Sequence, residues 1–99
     1  MDEKTKEILE NIVNEIYPYC EEKPHNIKIF CGNQLSFEER KYVENCFRKK
    51  PGFGNANIVA VPEEDPIHRG DYSPHKNGWY TIDFCYFWKR NQEKRSRAS

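Results

Sequence analysis

The sequence predicts a small, single α+β domain of order α-β-α-β-β, with a three-stranded mixed sheet and two helices on one face. Three observations carry this reading. An apolar stripe with helical spacing lies near the N-terminus, and a capping box at Ser36 opens a second helix. Runs rich in β-branched or aromatic residues follow the strand pattern at 26–31, 57–61 and 79–88. Ninety-nine residues suffice for one core and are too few for two.

The first helix is expected over 3–17. Ile8, Leu9, Ile12, Val13 and Ile16 recur at three- and four-residue intervals, which places them on one side of a 3.6-residue turn. Asp2 stands where an N-cap accepts a free backbone N–H, and Glu3 and Glu7 suit the positive end of the helix dipole. Pro18 disfavours helical geometry at Tyr17 and ends the element. A short strand follows at 26–31, where Ile27, Ile29 and Cys31 alternate with Lys28 and Phe30 until Gly32-Asn33 breaks it.

Ser36 followed by Glu39 satisfies two orphan donors of the second helix reciprocally. Tyr42, Val43, Cys46 and Phe47 form its apolar face, and Arg48, Lys49 and Lys50 suit its negative end before Pro51-Gly52 stops it. Strand 57–61 closes at Pro62, so 27–61 reads as a βαβ unit with parallel strands. Residues 63–78 hold two prolines, two glycines and little apolar beyond Ile67 and Tyr72, the composition of a long loop.

The last strand is expected over 79–88, antiparallel to the others. At period two, one face carries Tyr80, Ile82, Phe84, Tyr86 and Trp88, and the other Trp79, Thr81, Asp83, Cys85 and Phe87. Residues 1–90 form the domain, and 91–99 read as a disordered basic tail.

Charged residues make up 32% of the chain, above the roughly 25% of an ordinary domain. Disorder is nevertheless excluded by 14% aromatics, each able to bury a large area. Net charge is zero, with acidic and basic segments alternating over 1–23, 24–62, 63–88 and 89–99. That balance argues against a uniform polyanion-binding surface. No apolar run is long enough to span a bilayer, so no membrane partner is expected. The acidic N-terminus is unlike a signal peptide, and Cys20, Cys31, Cys46 and Cys85 stand singly. They read as reduced thiols of a cytoplasmic chain.

Function is read from surfaces, because no strong catalytic or metal motif is present. His68, Arg69 and Asp71, with His75 beyond, are the only polar cluster that resembles an acid–base site, and no nucleophile motif accompanies them. Cys20, His25, Cys31 and Cys46 lack the paired spacing of zinc ligands, and ordinary buried thiols explain them. No metal, cofactor or catalytic residue is therefore assigned. The reading favoured is a non-enzymatic protein-interaction module, an inhibitor or accessory subunit. It would use an open sheet face with Trp79, Thr81, Asp83 and Phe87, and a loop with Glu63, Glu64, Asp65, His68, Arg69 and Asp71. The alternative is a single-stranded nucleic-acid binder using the aromatic strand and basic tail. A small hydrolase or transferase on His68, Asp71 and His75 comes third. A protein is thus the expected partner, and a homodimer is compatible with the open face.

Overall fold

The computed structural model describes residues 1–19, 26–64, 72–74 and 80–98. The chain forms α1 (Glu3–Ile16), a single 3₁₀ turn (Tyr17–Tyr19), β1 (Asn26–Phe30), α2 (Phe37–Arg48) and β2 (Asn57–Val61). These are followed by β3 (Tyr72–Pro74), β4 (Tyr80–Asp83) and α3 (Phe84–Ala98). This is a small α+β domain, and its strands lie in the order β2-β1-β4-β3.

The first two helices begin where side-chain chemistry dictates. Asp2 accepts from the Thr5 N–H at 2.7 Å, and this bond to the backbone N–H holds the Asp2 carboxyl below its usual value. At α2 both halves of the capping box form: the Glu39 N–H donates to Ser36 Oγ at 3.2 Å and the Ser36 N–H to Glu39 Oε1 at 2.7 Å.

The C-terminal third departs from the expectation. The ten-residue aromatic strand does not form: β4 ends at Asp83, and Phe84 starts a helix that runs through Ala98. Helix thus replaces the expected disordered tail from residue 91. A five-residue apolar run satisfies either period, so periodicity alone cannot choose between strand and helix. Asp83 chooses. Its carboxylate accepts from the Tyr86 N–H at 3.2 Å, as an N-cap does, and Phe84, Phe87, Trp88 and Asn91 then fall on one helical stripe.

The strand directions also differ. β4 runs parallel to β1, with Ile27 opposite Tyr80 and Ile29 opposite Ile82, rather than antiparallel as expected. β1 and β2 are parallel, as the βαβ reading required. The antiparallel partner is β3, a three-residue strand within the segment expected to be loop, with Tyr72 opposite Ile82. β3 takes the chain back along the sheet, and this return lets β4 run parallel to β1.

Partnered residues share a sheet face. Ile27, Ile58, Ile29 and Ile82 therefore line one side, where they pack with Leu9, Ile12, Val13 and Ile16 of α1 and Val43, Cys46 and Phe47 of α2. Each fully buried aliphatic or aromatic side chain contributes about 1.5–3 kcal/mol. Phe84 and Phe87 bring α3 into the same core, so three helices join it rather than two. On the other face, among the described residues, Asn57 and Val59 of β2 are exposed and Asn26 and Lys28 half-buried, whereas Phe30, Thr81 and Asp83 are buried.

The outer edge of β2 is occupied by α2. The Ala60 N–H donates to Glu44 Oε2 at 2.9 Å, and the Arg48 guanidinium donates to the Ile58 carbonyl at 3.3 Å. Glu44 is only 3% exposed, with Lys41 and Arg48 within 3.4 and 3.9 Å of its carboxylate. Side chains thus take backbone groups that another strand would otherwise pair with, which blunts edge-to-edge association.

Candidate functional site

Because β1, β2 and β4 are parallel, their carboxyl ends meet at one end of the domain. From β1 the chain turns into α2, from β2 it leads to Glu63 and Glu64, and from β4 it enters α3 directly. The α1 start joins them, since the Met1 amino group lies 3.4 Å from Glu38 Oε1. In open parallel sheets this end, at the point where successive connections diverge, is the usual place for a ligand crevice. Here that point lies between β1 and β4.

The crevice is filled. Gly32, at φ +60°, approaches α3 so closely that a β-carbon on it would lie 2.9 Å from Cys85 Sγ. Only glycine fits both the conformation and the space. The β1–β2 ladder also continues past its strands: the Cys31 N–H donates to the Val61 carbonyl at 3.0 Å and the Gly32 N–H to the Glu63 carbonyl at 2.9 Å.

None of the described thiols, Cys31 and Cys85 at this end and Cys46 farther along α2, is activated. Burial pushes Cys31 up to about 12, and burial likewise raises Cys46 and Cys85. A protonated thiol is a weak nucleophile and a weak metal ligand. Among the described residues, no three His, Cys, Asp or Glu side chains converge as metal ligands would.

What this end does display is apolar surface. Phe37 and Tyr86, two aromatic residues exposed among the described ones, lie here, whereas the Met1 side chain is nearly buried. Phe37, at the first position of α2, is 66% exposed, while Tyr86 sits in the first turn of α3. The Arg40 guanidinium and the Lys41 ammonium stand 5.8 and 5.3 Å from the Phe37 ring centre. Such exposed cation–π contacts are worth about 0.5–1 kcal/mol and hold the ring in place.

The surrounding charges are already engaged. Glu38 meets the Met1 amino group, Glu39 closes the capping box, Arg40 donates to the Leu35 carbonyl at 3.0 Å, and Lys41 pairs with buried Glu44. Glu63 and Glu64 are exposed, and Lys89 reaches Glu64 at 3.9 Å.

The residues singled out in the sequence fall into three groups. Glu63 and Glu64 lie on the surface of this end. Thr81 and Asp83 share a face of β4 but are buried there, with Asp83 capping α3, while Phe87 leaves the strand for α3 and joins the core. Asp65, His68, Arg69, Asp71, His75 and Trp79 lie outside the described residues, as do Cys20 and His25. The aromatic face proposed for nucleic acid is also dispersed, with Tyr80 half-buried in β4 and Phe84 buried, Tyr86 exposed and Trp88 half-buried on α3.

Phe37 was not singled out by sequence reasoning, though a signal existed. It stands three, four and seven residues before Arg40, Lys41 and Glu44, on the charged side of α2 and away from Tyr42, Val43, Cys46 and Phe47. An aromatic residue on a charged helix flank has no core to enter. Compared with known protein families, curated proteins and solved structures, the chain matches none.

Proposed function

We propose that this chain is a non-enzymatic protein-interaction module, an inhibitor or accessory subunit, that meets its partner with the carboxyl end of its parallel strands. The exposure of two aromatic side chains, Phe37 and Tyr86, at that end carries the reading. Aromatic anchors ringed by polar groups are the usual energetic centre of a protein interface. Glu63 and Glu64 at the same end would meet a basic rim on the partner. The free thiols Cys31, Cys46 and Cys85 suit the reducing cytoplasm.

A protein partner is favoured over single-stranded nucleic acid by the state of the cations. Turning Lys41 to a phosphate would take an ion-pair partner from Glu44, a carboxylate only 3% exposed. Anchoring on Phe37 needs no such exchange.

The test is a photoreactive phenylalanine analogue at position 37, with the same group at Asn57 as the control. The expected result is a specific cross-linked protein from position 37 and none from 57. Phe37→Ala should weaken that complex at least about tenfold without lowering the melting temperature. Equal cross-linking from both positions, or binding indifferent to Phe37→Ala, would overturn the proposal. Salt-sensitive capture of single-stranded nucleic acid through position 37 would replace it.

A further inference from the structure

The strand ends that present Phe37 and Tyr86 also carry charge, with the two signs on different flanks. The order β2-β1-β4 sets the exits of the three parallel strands side by side, β1 in the middle. On one flank β2 leads to Glu63 and Glu64, both exposed. On the other, β4 leads into the first two turns of α3, where Lys89 and Arg90 are exposed. Gly32, at the β1 exit, lies between the flanks: a β-carbon on it would stand 3.6 Å from Glu64 Cγ and 2.9 Å from Cys85 Sγ. Arg90 follows Tyr86 by four residues and so neighbours it along α3. Among the described residues, the Glu63 and Arg90 side chains make no hydrogen bond or ion pair. Lys89 and Glu64 meet across the middle, but at 3.9 Å and with side chains 55% and 74% exposed, so water screens the contact.

We infer that the partner met by this end is a second copy of the chain, in a head-to-head twofold dimer. The inference rests on the reading of this end as a protein contact and names its occupant. A 180° rotation about the sheet normal opposes the strand ends of two molecules and exchanges their flanks. Glu63 and Glu64 of each copy then face Lys89 and Arg90 of the other, and symmetry makes the match twice. A partner of one charge sign would be repelled by one flank. The chain's net charge is zero, so the whole-molecule field does not oppose two copies. Phe37 and Tyr86 supply the apolar contact that a lasting interface needs. The competing route, sheet extension at the outer edge of β2, is closed by Glu44 on the Ala60 N–H and Arg48 on the Ile58 carbonyl.

The experiment is sedimentation of the full chain from micromolar to millimolar concentration. The mass is expected to rise from that of one chain toward twice that value. Arg90→Glu and Glu63→Lys, both at exposed positions, should each weaken the dimer at least about tenfold without changing the melting temperature. An equimolar mixture of the two variants should associate as the unaltered chain does, because every reversed charge then faces its opposite. Phe37→Ala should weaken the dimer at least about tenfold. A dimer indifferent to Phe37→Ala, or a mixture no tighter than either variant alone, would overturn the inference. So would a chain that stays monomeric throughout. In that case a different protein cross-linked from position 37 would leave the protein-contact reading standing, and no cross-link would remove both.

Discussion

Helix α1 has two seams, and they are built in opposite ways. Toward α2, Leu9, Ile12, Val13 and Ile16 share a core with Val43, Cys46 and Phe47. A space of about 160 Å³ remains at its rim, lined by Glu10, Asn14, Cys46, Lys49 and Lys50, but polar bonds bridge the two helices there. Tyr42 donates to Glu10, Lys50 donates to Asn14, and the Lys50 ammonium also lies 5.1 Å from the Tyr17 ring centre. The Tyr42 hydroxyl consequently titrates above its ordinary range, because its proton is held by the Glu10 carboxylate. Toward α3 the space beside Asn91 is larger, about 260 Å³, and among the described residues no hydrogen bond or ion pair crosses it. One seam spends its polar groups on holding the helices together, whereas the other leaves them available.

The largest expected effect lies in the closed seam. Phe47 is fully buried and stacks on Phe53 with ring centres 6.3 Å apart. Phe47→Ala should cost about 3–5 kcal/mol in chemical denaturation. A loss below about 1 kcal/mol would show that the α1–α2 side is not the stabilising one.

Gly32→Ala tests what fixes the start of α3. Strain at φ +60° and the contact with Cys85 together should cost about 1–3 kcal/mol, read from the denaturation midpoint. The amide shifts should spread from residue 85 into the α1–α3 seam. Unchanged shifts there would show that α3 is held by Phe84 and Phe87 alone.

Alkaline titration probes the same junction through Cys31. The folded chain holds this proton more tightly than the unfolded chain, in which the thiol titrates near 9. Its contribution to stability is complete below that value and falls as the pH rises toward about 12, by at most about 1.4 kcal/mol per pH unit. Cys31→Ala should flatten that decline. A slope that persists unchanged would locate the alkaline sensitivity elsewhere.

The smallest expected effect lies in the open seam. Asn91→Leu should leave the melting temperature unchanged or raise it by a few degrees, since it removes an unmatched acceptor and adds apolar contact. A clear loss of stability would mean that the amide serves the fold, and that the two seams differ less than their geometry indicates.

Much of the fold is local chemistry and was legible as such. Asp2 and the Ser36–Glu39 box fix where α1 and α2 begin, and the stripes from Ile8 to Ile16 and from Val43 to Phe47 fix which sides are buried. Ile27, Ile29 and Ile58 mark the strands of a βαβ unit whose parallel pairing follows from its connection. The candidate contact end was only partly legible. Glu63 and Glu64 were named, but Phe37 was not singled out, and Phe87 was placed on the contact face.

Residues 84–88 show where sequence stops and tertiary structure begins. Five apolar residues fit a strand at period two and a helix at period 3.6, and the local pattern does not separate them. The choice depends on Asp83 as a cap and on a core that accepts Phe84 and Phe87 from one side. The direction of β4 was likewise undetermined, because it depends on β3 pairing with a strand that follows it in the chain. Caps, stripes and turns act over a few residues and can be read in order. Strand partners and the gap beside Asn91 come from segments distant in sequence, and only their packing decided them.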